Sequence, residues 1–497
     1  MKVTKTQIRT ILEYSIVITM VFVLKAFTLQ GPVYDLCAED NSIYFIFGRE
    51  ILNGKVLYTD LIDQKGVYIF LIYALAAMIS KTSQIGVYLI YSVLISIAIC
   101  YMYNTLRLKL SAVVSIVSTF FITLMMCWTP LMTFNGYNED YIMLCYFITI
   151  ISLYRHCDEN YSNPRIMCLY GILSGIILNL KPNYVIFYIP IAIHMLYTTL
   201  KDKKYNITKN NIIYGLFSVF VANIPMLIYT LTNNCFNEMI HELYGNNGFN
   251  VYGQYDLQGM IPFIKTHLSF LLVVMLLSII VIVNTKKDIA FLYISLNIMA
   301  LVGALMSGRP YVHYIEVLVV FYIPVIVYVT DKLFKLKVKI APFIIYLSVA
   351  YVLLTYNGIY SDALYDLYTT DYANYGIYKT ANLYRDKYYN YKNIVYIGYG
   401  GLIYYNTDVV VDKYPSVPSI PFDKYTDAIY YKEDRIRNEN PEMIIIQTGF
   451  VDLIKAKFSD DIINLFDTNY TSIDDYFDEY NIENYIFYIR NDLLEEE

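Results

Sequence analysis

Four polar segments of this chain carry carboxylates and cations at the edges of long apolar stretches. The first is the segment 31–84, and the others lie at 129–140, 181–183 and 308–316. A carboxylate can take a proton from a hydroxyl group, and lysine or arginine can bind an anion such as phosphate. Ionisable residues at membrane depth are costly, so they usually face a cavity or one another. We therefore expect side chains from these four segments to meet at one site.

The candidate residues differ in what they could contribute to such a site. Asp40 and its neighbour Glu39 are the candidate catalytic carboxylates. The remaining candidates are the cations or donors Arg309, Lys181, Lys65 and His313, and the further polar residues Asp60, Asp63, Glu139 and Tyr311. Each alone has a plainer interpretation, such as a solvated loop carboxylate or a lysine anchored at the membrane interface. These residues come from four segments that are far apart in the sequence, and all four segments are predicted to lie on the same face of the membrane. This favours the interpretation that they form one site together.

Local sequence signals predict how Asp40 is held. Residues 39–52 form an amphipathic pattern that ends at an Asn-Gly pair typical of a helix C-cap. Asp40 then lies in the first helical turn, where the helix dipole favours an ionised carboxylate. The turn-like stretch 58–66 follows and leads into a short apolar helix at 67–79.

The composition is that of a polytopic membrane protein. Of 497 residues, 57% are hydrophobic and 16% are charged, whereas a soluble domain carries about 25% charged residues. A spanning helix needs about 20 mostly apolar residues. The stretches that we predict to span are 11–29, 85–103, 111–127, 141–154, 166–180, 184–200, 212–232, 267–284, 289–306, 314–330 and 340–356. The stretch 67–79 is too short, and we predict a juxtamembrane or re-entrant helix on the outer face.

The distribution of basic residues predicts the orientation of these roughly 11 spans. With the N-terminus inside and 67–79 not spanning, the inner loops and the N-terminal tail contain 17 of the 25 lysines and arginines of residues 1–356. This distribution satisfies the positive-inside rule at every inner loop. The N-terminus is therefore predicted to be cytoplasmic. The candidate site and the C-terminus are then predicted to lie outside the cytoplasm.

The C-terminal residues 357–497 are predicted to form a separate soluble domain of α/β or α+β type. Their net charge is −13, against +7 for the transmembrane portion 1–356. Short strands are predicted at 393–397, 409–411, 443–447 and 484–489, because these stretches are rich in Ile, Val and Tyr. An acidic outer domain would repel nucleic acid. No Cys-x-x-Cys pair is present, which argues against a thiol metal site.

The first outer loop resembles that of the GT-C membrane glycosyltransferases. The run D-N-S-I-Y-F-I-F-G-R-E-I-L-N-G-K-V-L-Y-T-D-L-I-D-Q-K-G is similar to the bacterial dolichyl-phosphate-mannose-mannosyltransferase-like and aminoarabinose-transferase-like proteins. The motifs N-E-D, K-P-N and G-R-P-Y-V-H-Y follow in that family's order. In this resemblance Asp40 matches the first-loop acid, and Asp60, Asp63 and Lys65 match the second half of the loop. The chain departs from the pattern at Val67, where relatives often have proline, and at Lys181, where arginine is common.

The resemblance implies an inverting enzyme that moves a sugar from a polyprenyl-phosphate carrier to a cell-envelope acceptor, which could be a glycan, a lipid or a protein. The acceptor hydroxyl would need a general base, for which we predict Asp40, with Glu39 as the alternative. The leaving phosphate would need positive charge. The sequence leaves open whether Arg309, Lys181 and Lys65 supply it or whether Mg²⁺ or Mn²⁺ does, held by Asp40, Asp60 and Asp63.

Two other classes of membrane protein remain as alternatives. A transporter or a flippase for lipid-linked glycans would also have many spans and intramembrane charges. The other class is a non-catalytic membrane scaffold or polymerase partner, against which the acid-rich first loop argues. The lack of matching halves in the sequence, the position of the charges at the outer face and the appended soluble domain favour the transferase.

Overall fold

The computed structural model describes most of the chain. The described residues are 5–28, 30–33, 35, 37, 39–127, 136–156, 161–246, 257–309, 311–335, 390–398, 401–404, 409–415, 426–473 and 485–494. The α-helices of the N-terminal portion are α1 (Lys5–Ala26), α2 (Glu39–Leu52), α3 (Val67–Ile79), α4 (Ile85–Arg107), α5 (Ala112–Cys127), α6 (Asn138–His156), α7 (Pro164–Leu178), α8 (Ile189–Lys201), α9 (Tyr205–Thr232), α10 (Phe236–Ile240), α11 (Leu257–Phe263), α12 (Ser269–Thr285), α13 (Ala290–Leu305) and α14 (Tyr322–Lys335). Two 3₁₀ segments, Pro182–Tyr188 and Val312–Phe321, lead into α8 and α14.

Several of these helices are long and apolar enough to cross a membrane. Within the described residues they are Gln7–Ala26, Ile85–Arg107, Pro182–Lys201, Tyr205–Thr232 and Val312–Lys335, and the bent pair around α11 and α12 would add a sixth. The predicted count of about 11 spans is not confirmed. Helices α5, α7 and α13 have only 15 or 16 residues, and the predicted span 340–356 lies outside the described residues. The chain is thus a mostly helical membrane protein.

Helices α2 and α3 form the hairpin that carries the first candidate residues. Both helices have the bounds that the sequence predicts. At about 1.5 Å per residue, the 13 residues of α3 reach about 20 Å, well short of a hydrocarbon core of about 30 Å. The two helices cross closely because Gly48 has no side chain, and a Cβ there would overlap the backbone of Tyr73. Phe47 stacks on Phe70 at a ring distance of 5.1 Å across this crossing.

The C-terminal portion contains a four-stranded sheet covered by helices. Its strands are β1 (Ile394–Ile397), β2 (Met443–Gln447), β3 (Tyr470–Ser472) and β4 (Tyr485–Arg490), and its α-helices are α15 (Thr426–Glu439), α16 (Val451–Lys457), α17 (Asp460–Asn469) and α18 (Asn491–Leu494). The strand order is β1-β2-β4-β3. Strands β1 and β2 are parallel and α15 connects them, whereas β4 is antiparallel to both of its neighbours.

The sheet buries both of its faces. Side chains alternate across a strand, so Val395 and Ile397 pack with the covering helices while Ile394 and Tyr396 join the core that extends into the N-terminal portion. This double burial explains why β1 and β2 are continuous apolar runs.

One strand assigned from sequence is wrong, and one strand of the sheet was not predicted. The stretch 409–411 forms no strand, and its Val411 carbonyl instead accepts a hydrogen bond from Lys55 Nζ at 2.7 Å. The strand Tyr470–Ser472 was not predicted, because its three residues are too few to show alternation. The predicted domain boundary at 356 and 357 lies outside the described residues.

Candidate active site

The loop between α2 and α3 reaches the candidate site because Gly66 approaches another backbone closely. The N–H of Gly66 donates to the carbonyl of Leu180 at 3.3 Å, and the N–H of Tyr68 donates to that of Asn179 at 3.2 Å. A Cβ at position 66 would overlap the Asn179 carbonyl. This contact brings the segment that carries Lys65 against the segment that carries Lys181. Two of the four predicted polar segments therefore meet here.

Lys65 lies between two of the predicted carboxylates. Its Nζ is 3.9 Å from Asp40 Oδ2 and 3.5 Å from Asp63 Oδ1. The Asp63 carboxylate also accepts the backbone N–H of Lys65 at 3.0 Å, and the ammonium lies 5.3 Å from the centre of the Tyr44 ring. Tyr44 donates a hydrogen bond from its hydroxyl to Asp40 Oδ2 at 3.4 Å. The predicted grouping of Asp40, Asp63 and Lys65 is present.

The two carboxylates differ in their ionisation. Burial alone would raise the pKa of Asp40, but the combined positive fields of Lys65, His313 and Lys181 hold it below its ordinary value. For Asp63 burial prevails, and its pKa is raised although Lys65 opposes the shift. The Asp40 side chain is 39% exposed, against 10% for Asp63. Asp40 is therefore the ionised carboxylate that a substrate can reach.

Lys181 is held by an ion pair and by aromatic rings. Its Nζ lies 2.6 Å from Glu139 Oε1 and 3.4 Å from the centre of the Tyr314 ring. Tyr184, in the 3₁₀ segment that begins after Lys181, donates from its hydroxyl to the Tyr314 carbonyl at 2.9 Å. The Glu139 carboxylate at the start of α6 thus anchors a lysine that projects toward the 3₁₀ segment Val312–Phe321. Three of the predicted segments are connected in this way.

His313 belongs to an aromatic group at the same end of that 3₁₀ segment. Its ring lies nearly parallel to those of Tyr137 and Tyr311, at centroid distances of 4.8 Å and 5.7 Å. Tyr311 is 39% exposed. His313 is close enough to Asp40 to contribute to the pKa shift of that carboxylate. The fourth predicted segment therefore also reaches the site.

Arg309 is partly buried at the start of this fourth segment, after Gly308, whose φ of +66° few other residues adopt. One terminal guanidinium nitrogen of Arg309 is buried and has no hydrogen-bond partner. Among the contacts of the described residues, none joins Arg309 to Lys65 or Lys181. Its unsatisfied N–H groups suit an anionic ligand.

The residues predicted to hold a metal ion do not fit that role. Asp60 turns back into its own loop, where Oδ2 accepts the N–H of Val56 at 2.8 Å. The ammonium of Lys65 lies near both Asp40 and Asp63, where a metal ion would need to bind. Within the described part of the chain, no group of three His, Cys, Asp or Glu side chains could hold a metal. Glu39 begins α2, and its side chain lies outside the described structure.

A second charged group lies deeper in the protein, and none of its members was named among the candidate residues chosen from the sequence. Lys25 is 1% exposed, and its ammonium lies 4.3 Å from the centre of the Tyr91 ring. Tyr91 donates to Asp140 Oδ1 at 3.2 Å, and Glu316 is fully buried with no hydrogen-bond partner for either carboxylate oxygen. The sequence signal was available, because Lys25 and Glu316 interrupt two predicted spans and ionisable residues there indicate function.

Comparison with known proteins gives one family match. Residues 64–229 match the family of dolichyl-phosphate-mannose-protein mannosyltransferase. No curated protein matches the chain. One solved structure, the oligosaccharyltransferase of Archaeoglobus fulgidus in the apo form, covers 93% of this chain and 73% of its own, with 12% identity and a TM-score of 0.49. The family match begins in the second half of the first outer loop and supports the resemblance at the level of the superfamily: over residues 64–229, this chain is similar to the GT-C membrane glycosyltransferases.

Proposed function

We propose that this protein is an inverting glycosyltransferase that moves a sugar from a polyprenyl-phosphate donor to an extracytoplasmic acceptor. The observation that carries the proposal is the position of Asp40, an accessible, ionised carboxylate in the field of Lys65, Lys181 and His313. A base and a group of cations lie together there, as transfer from a phosphate leaving group requires. The family match over residues 64–229 supports the reaction class.

In the proposed reaction Asp40 accepts the proton of the acceptor hydroxyl. The acceptor oxygen forms a bond to the anomeric carbon of the sugar, and the bond from that carbon to the phosphate oxygen breaks on the opposite face. The electrons of the broken bond remain on polyprenyl phosphate, which leaves as an anion. One displacement of this kind inverts the configuration of the sugar.

The leaving phosphate would be stabilised by the cations of the site. Lys65 and Lys181 act as point charges, whereas the guanidinium of Arg309 could form two parallel hydrogen bonds to the phosphate. Positive charge aimed at the developing phosphate charge is often the largest contribution to catalysis. His313 and Tyr311 complete the same end of the site as donors to phosphate or sugar, and the membrane portion would bind the polyprenyl tail.

The proposed orientation places residues 357–497 and the candidate site outside the cytoplasm, and the N-terminus inside. The acceptor is then a component of the cell envelope. A transporter or flippase remains the alternative, and the deeply buried Lys25 and Glu316 are the observation that would favour it.

One experiment separates transfer from transport. The purified protein is reconstituted in liposomes with ¹⁴C-mannosyl-phosphoundecaprenol, and a membrane extract is added as a source of acceptors. A transferase converts the label into a product that is no longer linked to the carrier and releases undecaprenyl phosphate. Movement of the intact labelled lipid between leaflets, with no cleavage of the sugar–phosphate bond, would replace the proposal with the transport function. The assay is repeated with other sugar-phosphate lipids before transfer is rejected.

A further inference from the structure

The C-terminal domain contacts the helix that carries Asp40 through a turn that begins at Gly401. The N–H of Gly401 donates to Ser42 Oγ at 2.7 Å, and Ser42 is fully buried. Ser42 follows Asp40 by two residues in the first turns of α2. A Cβ at position 401 would lie 2.6 Å from Ile46 Cδ1 and 3.4 Å from the backbone nitrogen of Ile43. A methyl group at position 401 would therefore require the buried side chain of Ile46 to shift.

The turn at Gly401 is itself held rigidly inside the C-terminal domain. The N–H of Tyr404 donates to the Gly401 carbonyl at 2.9 Å, which closes the 3₁₀ turn. Tyr404 is fully buried and donates from its hydroxyl to Asp412 Oδ2 at 3.2 Å. Asp412 also forms buried ion pairs with Lys432 and Arg435 of α15. A buried carboxylate with these partners is fixed in place, because the loss of any one of them would be costly.

The same domain also contacts the loop that runs from α2 to Lys65. Lys55 Nζ donates to the carbonyl of Val411 at 2.7 Å, and the N–H of Ile62 donates to the carbonyl of Lys413 at 2.9 Å. These two acceptors flank Asp412. The turn at Gly401 contacts α2 next to Asp40, and the residues on either side of Asp412 contact the loop before Lys65. The hydrogen bond between Tyr404 and Asp412 connects these two parts of the C-terminal domain.

We infer that Gly401 and Ser42 are positioning residues that fix the distance between Asp40 and Lys65. This inference rests on the proposed function, since it assigns the C-terminal domain a place in the active site of that reaction. In this inference the C-terminal domain is part of the active site and not only an appended soluble domain. It determines how α2 lies against the following loop, and so where the proposed base stands relative to the proposed phosphate-binding cation.

The test compares Gly401→Ala with Gly449→Ala, because a Cβ at position 449 of the same domain would meet nothing within 4 Å. We expect Gly401→Ala to lower kcat for sugar transfer by about tenfold or more, since small displacements of catalytic groups are costly. Its donor KM should change less than kcat, because Lys181 and Arg309, two of the three proposed phosphate-binding cations, are untouched. Gly449→Ala should retain both values. Equal kcat for the two variants would overturn the inference.

Ser42→Ala provides a second variant that adds no bulk, in case Gly401→Ala does not fold. It removes the acceptor of the Gly401 N–H, and we expect the same fall in kcat, with partial recovery in Ser42→Thr. A loss of donor affinity that equals the loss of kcat would indicate general disruption of the site and would contradict a positioning role.

Hydrogen exchange of the full-length protein in nanodiscs provides a measurement that does not depend on transfer. Peptides that cover residues 39–66 should exchange faster in Gly401→Ala and Ser42→Ala than in the wild type and in Gly449→Ala. If the wild type transfers no sugar but these peptides still lose protection, the proposed function fails while the contact between domain and loop is supported. Unchanged protection in both variants would overturn the positioning inference even if transfer were active.

Discussion

Lys181 Nζ forms an ion pair with Glu139 Oε1 at 2.6 Å across the junction between α6 and the 3₁₀ segment Pro182–Tyr188. The Glu139 side chain is 3% exposed and that of Lys181 is 16% exposed. Because removal of one partner leaves the other charge buried, the pair has a structural role besides any role in binding phosphate. The two roles can be separated by changing both residues.

We expect Lys181→Met and Glu139→Gln each to lower the free energy of unfolding, by up to about 3–5 kcal/mol for Lys181→Met. The double variant should recover much of this loss, since no unpaired charge remains. Affinity for the polyprenyl-phosphate donor should stay low in the double variant, because the cation is absent. Thermal unfolding in detergent and donor binding measure the two effects. Recovery of donor affinity together with stability would exclude Lys181 from the phosphate site.

Asp40→Asn should reduce sugar transfer by about 10²–10⁴-fold, the usual contribution of a general base. The fold should be retained, because the side chain is partly exposed and asparagine has nearly the same shape. Single-turnover assays with labelled donor measure the rate. The matched control is Asp202→Asn, which removes an exposed carboxylate paired with Lys204. Wild-type turnover in Asp40→Asn would reject Asp40 as the general base and leave Glu39 as the candidate.

Lys65→Met should move the acid limb of the kcat–pH profile to higher pH. Burial raises the pKa of Asp40, and Lys65 is the strongest of the positive fields that overcome it. A base acts only when ionised, so activity is lost as pH falls through its pKa. Without the lysine, that loss should begin at a higher pH than in the wild type. Lys335→Met, a change at a lysine that is 70% exposed, should leave the limb in place. An unmoved limb in Lys65→Met would show that Asp40 does not control the rate.

Removal of divalent metal ions should leave transfer intact. Lys65 supplies positive charge between Asp40 and Asp63, and Asp60 is hydrogen-bonded within its own loop. Turnover is measured after dialysis against EDTA and again after addition of Mg²⁺ or Mn²⁺. A loss that Mn²⁺ or Mg²⁺ restores would establish a metal site and would require the loop to rearrange around it.

The proposed orientation predicts which positions are reachable from outside intact cells. A cysteine at Lys204, in the inner loop 201–211, should not react with a membrane-impermeant maleimide. A cysteine at Asp452 in the C-terminal domain should react. The wild type is the background, and the native cysteines of the described structure are buried or only partly exposed. Labelling at position 204 would reverse the topology and remove the proposed site from the outer face.

Local sequence patterns were sufficient for the elements that carry the site. The bounds of α2 and α3 follow from a run of apolar residues closed by Asn53 and Gly54 and from a second run opened by Gly66, so both helices could be predicted to the residue. The buried strands β1 and β2 follow from continuous Ile and Val. The charge contrast between the two portions predicts that they face different surroundings. These features depend on neighbours within a few residues, which a sequence displays directly.

The arrangement of the site depended on contacts between distant parts of the chain. The sequence offered Asp40, Asp60 and Asp63 together as possible metal ligands, and only the folded loop shows that Lys65 lies against Asp40 and Asp63 while Asp60 accepts the N–H of Val56. The contact of Gly401 with Ser42 joins residues 359 positions apart. Such pairs are determined by the packing of whole elements rather than by local pattern. For that reason the residue types of the site were predictable from sequence, whereas their distances and partners required the tertiary structure.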